Sequence, residues 1–260
     1  MKLSIIIPVY NSSKILKSLI SEINLYLNSK LKNNFEIILI NDSSTDDSWN
    51  TIKDLSTNNS LIKGLNLKEN VGQHGAIFIG LKFSIGQKII IMDDDMQHPP
   101  KCLISIYNKL DEADACYTTY AKRKHIFWKI MISKTNHLFS NFLFDKPFVI
   151  YLSSLKGIRE NIKDKIIKKN PSIPFIDSLI LRETRNIASI EINHQERFDG
   201  DSNYGLKKLF ILWFDMIENF HFFPIRFGTS IGLLSYCFVK LLRLFKRKKT
   251  FHYSIKETTF

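Results

Sequence analysis

Three times in the first 95 residues an apolar run ends abruptly in polar side chains, LSIIIPVYN, FEIILIND and KIIIMDDD, and IKGLNL reads as a further short strand. A strand covered on one face alternates apolar and polar residues, whereas a run that is apolar at nearly every position has to be covered on both faces. The stretches between the runs read as helices. Ile15, Leu16, Leu19, Ile20, Ile23 and Leu27 recur at helical spacing. STDDSWNTIKDL opens with capping residues, NVGQHGAIFIGLKFS is a glycine-marked loop leading into a helix, and PPKCLISIYNKL starts with the prolines that a first helical turn accepts. Strand alternating with helix predicts an α/β chain: a mostly parallel sheet with helices on both faces.

A ligand of such a sheet sits beyond the carboxyl ends of its strands. Three polar clusters, PVYN, NDSSTD and DDDMQ, fall at those ends. The third is the most unusual, because Asp93, Asp94 and Asp95 stand side by side and repel one another. A divalent cation relieves that repulsion, and hard carboxylate oxygens suit Mg²⁺ or Mn²⁺. If the strand continues through them, Asp93 and Asp95 face one ligand together and Asp94 turns away, with Gln97 continuing the alternation. The alternative is a solvated acidic turn.

The chain has 260 residues with a formal net charge of +12, which suits anionic partners, although a lysine-rich solvated surface gives the same number. Cys102, Cys116 and Cys237 are odd in number, and no two are spaced as a metal knuckle or redox pair, as expected in a reducing compartment. The first apolar run is too short for a signal-peptide core and is expected to be a strand.

In this order and spacing, SIIIPVYN, NDSSTD, NVGQHGA and MDDDMQHPP resemble a family 2 glycosyltransferase of the GT-A fold, a Rossmann-like mostly parallel sheet. HQERFDGDSNYGLKKLF is similar to the polyprenyl-phosphate glycosyltransferase branch, and the resemblance spans roughly residues 3–225. It implies that Asp93 and Asp95 bind the metal, with Gln97 also reaching it. Asp95 would be catalytic in this role. It implies that Pro8, Tyr10, Asn11 and Asp42 line the pocket for the nucleotide base, with Asn41 where the family commonly has an aspartate. Arg197, Ser202 and Tyr204 match the segment whose arginine meets the donor diphosphate. A guanidinium opposite a metal stabilises a departing diphosphate; the plainer role for Arg197 is an ion pair with Glu196 or Asp199.

A lipid phosphate is already anionic at neutral pH and needs cations rather than a general base. KRKHIFWKIMISK offers Arg123, Lys129 and Ser133, the last two sharing a helix face, and the resemblance implies a phosphate-holding role for such positions. Tyr120 stands where the family has an arginine. An amphipathic surface helix is the alternative. A saccharide hydroxyl acceptor would instead need a base, and Asp177 in PFIDSLI is the candidate.

Residues 222–245 are apolar but interrupted by Arg226, Lys240 and Arg243, and the uninterrupted part, 229–239, falls short of the about 20 residues a spanning helix needs. The expectation is a catalytic domain over 1–205, then C-terminal amphipathic, membrane-associated helices over 206–260, with KRKK against acidic headgroups. A core helix with a frayed basic tail is the alternative.

Taken together, the expectation is a metal-dependent inverting enzyme at the cytoplasmic face of the inner membrane. It would move sugar from a nucleotide-sugar donor, UDP-linked, to a polyprenyl (undecaprenyl) phosphate in cell-envelope assembly. The same fold acting on a saccharide acceptor is the alternative, with a non-catalytic sugar-nucleotide-binding scaffold behind it. No nucleic-acid partner is expected, and a homo-oligomer is left open.

Overall fold

A computed structural model describes residues 1–120, 151–171, 174–192 and 251–260. The apolar runs form strands β1 (Leu3–Val9), β2 (Phe35–Asn41), β3 (Ile62–Leu67) and β4 (Lys88–Ile91). Later segments add β5 (Ala115–Tyr120), β6 (Lys156–Arg159), β7 (Ile187–Ile192) and β8 (Ile255–Thr258). The described helices are α1 (Ser13–Leu31), α2 (Ser48–Asn58), α3 (Gln73–Phe83), α4 (Lys101–Lys109), α5 (Glu160–Lys169) and α6 (Ile176–Glu183).

All eight strands join one sheet in the order β7-β5-β6-β4-β1-β2-β3-β8. β1, β2, β3 and β4 are mutually parallel, with Leu3 opposite both Phe35 and Lys88. β5 and β7 run parallel to each other, whereas β6 is antiparallel to both of its neighbours, β4 and β5. The expected mostly parallel sheet is therefore present, with two antiparallel insertions, β6 and β8.

The two-sided burial follows from the strand residues. Leu3, Ile5, Ile7 and Val9 of β1 pack with Phe35, Ile37 and Leu39 against α1, α2 and α4. Ile6, Ile38 and Ile40 point the other way, onto α3, α5 and α6. Fully burying each such aliphatic side chain contributes roughly 1.5–3 kcal/mol. In α1 the buried set is Leu16, Leu19, Ile20, Ile23 and Leu27, the expected stripe apart from Ile15, which is half-buried. One polar network crosses the sheet: the buried Glu36 carboxylate accepts from Ser4 Oγ, the Ile85 amide and Lys63 Nζ.

Residues 251–260 depart from expectation. Instead of belonging to the expected membrane-associated helices and basic tail, they fold back with β8 antiparallel to β3, Asn66 opposite Glu257 and an irregularity between Asn66 and Leu67. The Gly64 amide donates to Thr259 Oγ1, and Trp49 Nε1 donates to Glu257 Oε2. Among the described residues no helix is long and apolar enough to cross a membrane. The expected amphipathic helices of 206–250 lie outside the described residues.

Candidate functional site

The strand order reverses between β1 and β4: from β1 the sheet grows outward through β2 and β3 on one side and resumes with β4 on the other. In an open α/β sheet, ligands bind in the crevice outside the carboxyl ends at such a point. Side chains of the loops that follow β1, β2, β3 and β4 are tied to one another there.

After β1, Asn11 adopts the left-handed conformation (φ 56°), which asparagine tolerates better than most residues. Its amide donates to Ser44 Oγ, and its own Oδ1 accepts the Thr45 amide at 2.8 Å. The Ser13 amide donates to Asp46, which also accepts from Ser48. Burial works to raise the Asp46 pKa, but the Ser48 and Ser13 hydrogen bonds outweigh it and hold the carboxyl below its usual range.

After β2, Asp42 is buried and knots two loops together. Its carboxylate accepts the Val71 amide at 2.7 Å and the Gly72 amide at 2.9 Å, the turn that opens α3. Burial raises the Asp42 pKa against the opposing pull of these two amides. Gly72 has φ 78°, a conformation strained for any side chain.

After β4, the acidic turn departs from the expected alternation. Strand pairing ends at Ile91, although the Met92 amide still reaches the Ile6 carbonyl, and Met96 turns left-handed at φ 57°. The three aspartates therefore sit on a turn rather than a strand. Asp94 is half-buried and accepts from Ser12 Oγ of the β1 loop. Its burial, with Asp93 beside it, outweighs that hydrogen bond and pushes its pKa up to about 6. Asp93 accepts from Gln73 Nε2 of α3, and Asp95 accepts the Gln97 amide at 3.2 Å. Gln97 thus meets Asp95 through its backbone.

Among the described residues no three His, Cys, Asp or Glu side chains stand together as a preformed metal cage. Two neighbouring carboxylates nevertheless fit the donor chemistry of Mg²⁺ or Mn²⁺, which use one or two protein carboxylates and complete their shell with water and substrate phosphate.

Beneath the turn lies a second polar group. Asp177, in the first turn of α6, is buried and ion-paired with Lys156 of β6, and Tyr117 of β5 donates to it at 3.0 Å. His74 follows Gln73 in α3 and stacks on Phe175 with ring centroids 4.5 Å apart. Burial first, then Lys156, lower its pKa to about 4 against the raising effect of Asp177, so the imidazole is neutral.

The structure brings Tyr10, Asn11, Asp42, Asp93, Asp95 and Gln97 to this crevice. Tyr10 is exposed there. Pro8 is buried within β1, past the last registered pair with β4, Ile6–Ile91, so its missing N–H falls beyond that ladder. Asn41 is also buried and donates sideways to Asn66 Oδ1. Arg123, Lys129, Ser133, Arg197, Ser202 and Tyr204 lie outside the described residues. Sequence reasoning missed Ser12, Gln73 and Asp46. Their polar types at strand ends were visible, but the partners that give them a role come from other loops.

A family model described as "Glycosyl transferase family 2" matches residues 4–167. The undecaprenyl-phosphate 4-deoxy-4-formamido-L-arabinose transferase of Klebsiella pneumoniae (strain 342) is 30% identical over 247 residues, 93% of this chain and 75% of that protein. The Aeromonas hydrophila protein of the same name is 29% identical over 234 residues, 88% and 71% of the two chains. Among solved structures, glucosyl-3-phosphoglycerate synthase from Mycobacterium tuberculosis with Mn²⁺, UDP-glucose and phosphoglyceric acid superposes with TM-score 0.60 at 13% identity, covering 84% of this chain and 78% of that one. The mannosyltransferase PcManGT from Pyrobaculum calidifontis with GDP-Man and Mn²⁺ gives 0.58 at 13%, covering 84% and 62%. At such identities the two structures speak for the shared fold alone.

Proposed function

The chain belongs to glycosyl transferase family 2, and from that premise we propose that it moves a sugar from a UDP-sugar to a polyprenyl phosphate, undecaprenyl phosphate in particular, with inversion. The observation that carries the choice of acceptor is the state of Asp177. The carboxylate available to deprotonate a saccharide hydroxyl is buried and already engaged by Lys156 and Tyr117. A lipid phosphate removes the need for it, being ionised at neutral pH. The names of these curated relatives support the same acceptor.

In this reading the loops joined by Asn11 and Asp42 receive the nucleotide, and Asp93 and Asp95 hold Mg²⁺ or Mn²⁺ with Gln97 alongside. A bound cation would supply Lewis-acid stabilisation of the diphosphate leaving group. Asp94, engaged by Ser12, stays turned into the protein and fixes the height of the turn. Arg197, with Ser202 and Tyr204, is assigned to the diphosphate, and Arg123, Lys129 and Ser133 to the acceptor phosphate. An acceptor phosphate oxygen attacks the anomeric carbon from the face opposite the diphosphate. The new carbon–oxygen bond forms as the bond to the diphosphate breaks, and no proton is removed. The reaction takes place at the cytoplasmic face of the membrane.

The test incubates the full chain with undecaprenyl phosphate in detergent and a panel of labelled UDP-sugars. Label is expected in the organic extract, and Asp95→Ala is expected to lower transfer at least about 100-fold with the melting temperature unchanged. Label entering only water-soluble saccharide would mean a hydroxyl acceptor. Full transfer by Asp95→Ala would remove the acidic turn from the mechanism.

A further inference from the structure

Residues 251–257 lie against both helices that open beside the nucleotide crevice. Phe251 meets the first turn of α3: a Cβ added at Gly75 would lie 2.9 Å from Phe251 Cε2 and 2.9 Å from Val71 Cγ2, so both side chains pack over Gly75. The Phe251 ring also packs edge-on against Phe78 at 5.8 Å and lies 5.7 Å from Tyr253. Lys82 of α3 sits 5.0 Å from the Tyr253 ring centroid. The Lys68 amide, at the start of the β3–α3 loop, donates to the Ser254 carbonyl at 3.0 Å. On the far side, Glu257 accepts from Trp49 in the first turn of α2.

These contacts converge on the loop whose amides bind Asp42. Val71 links the two: its side chain and the Phe251 ring both flank Gly75, and its amide donates to the Asp42 carboxylate. We propose that residues 251–257 are a positioning element for the donor nucleotide, with Phe251 holding the Val71–Gly72 turn in the conformation that closes one wall of the crevice and Glu257 holding the α2 wall through Trp49. The inference rests on the reading of the Asp42 crevice as the nucleotide pocket.

A mere fastener of the sheet edge would affect stability without affecting nucleotide affinity. Thr259 provides that comparison, because its hydroxyl accepts the Gly64 amide further along β3, away from the α3 turn. The experiment is calorimetric titration of the full chain with UDP, and with GDP, in the presence of Mn²⁺, beside thermal melts. Phe251→Ala is expected to weaken UDP binding about tenfold, the effect of losing preorganisation in a binding loop. It should leave the KM for polyprenyl phosphate unchanged. Thr259→Val is expected to lower the melting temperature and leave the UDP affinity as it was. Phe251→Leu keeps most of the apolar volume. It serves if the alanine variant does not fold, with an expected weakening of about threefold. UDP affinity equal to wild type in a folded Phe251 variant would overturn the positioning role. Asp42→Ala separates the two levels of the argument. If it abolishes UDP binding while Phe251 variants bind normally, only the positioning role fails. If neither substitution matters, or if the wild-type protein binds neither nucleotide, the pocket itself has been misassigned.

Discussion

His74 shows how a single residue can make this fold acid-sensitive. Its Nδ1 is buried without a hydrogen-bond partner, its ring rests on Phe175, and its pKa is lowered to about 4 from an ordinary 6.5. Above pH 6.5 the imidazole is neutral whether the chain is folded or not, so it contributes no pH dependence. As pH falls from about 6.5 to about 4, the unfolded chain takes up a proton that the folded one refuses, and stability declines. At full effect this amounts to at most about 3.4 kcal/mol, at 1.36 kcal/mol per pKa unit. Chemical denaturation of wild type at pH 5 and pH 7.5 should therefore give a lower stability at pH 5, and His74→Gln should narrow the difference. An identical difference in the variant would assign the acid sensitivity to other groups. At this scale much of the site was legible. Asp42, Asp93 and Asp95 lie at strand ends because the apolar runs before them have to be strands. Gln73 and Ser12 were not legible, since their meaning is a bond to a residue about 20 or 82 positions away.

At the scale of elements, β5, β6 and α6 meet at one buried ion pair. Lys156 and Asp177 come from β6 and α6, with the Tyr117 hydroxyl of β5 as third partner. Removing one member of a buried pair leaves an uncompensated charge, and Lys156→Met or Asp177→Leu alone is expected to destabilise the fold by about 3–5 kcal/mol. The double variant removes both charges and is expected to recover most of that loss in urea unfolding. It also isolates the chemistry, which a single Asp177 substitution does not, because lost activity would be confounded with lost stability. Transfer to lipid by the folded double variant would rule out Asp177 as a base, whereas a folded but inactive double variant would restore the saccharide-acceptor reading. The parallel strands were legible because burial on both faces leaves an unbroken apolar run. β8 was not, because IKET has no apolar run and is held by backbone pairing to β3 and by contacts to Trp49 and α3. The antiparallel direction of β6 was equally hidden, since four residues carry no signature of their orientation.

For the whole molecule, the sheet dictates where the undescribed stretches begin and end. β5 and β7 run in the same direction as β1 through β4, while β6 and β8 run against them. The chain therefore leaves β5 at Tyr120 and β7 at Ile192 on the side of the Asp42 crevice, and it enters β6 and β8 from that same side. Residues 121–150 and 193–250, which follow those two strand ends in the sequence, hold most of the +12 charge. Under the proposed reading, an enzyme with a membrane-held acceptor needs cations that can meet the membrane. Each Lys or Arg near an anionic leaflet contributes about 1 kcal/mol of attraction. Replacing Lys246, Arg247, Lys248 and Lys249 together by glutamine is expected to reduce partitioning onto phosphatidylglycerol vesicles by about 100-fold or more. Partitioning onto neutral phosphatidylcholine should change little. Simple truncation after residue 227 would be a poorer test, since it also removes β8, the packing of Phe251 on α3 and the Trp49–Glu257 contact. The four-site variant keeps residues 251–260, so its melting temperature should match wild type and a loss of vesicle binding would report charge alone. Equal sedimentation of variant and wild type with anionic vesicles at low salt would show that these four cations do not face the membrane.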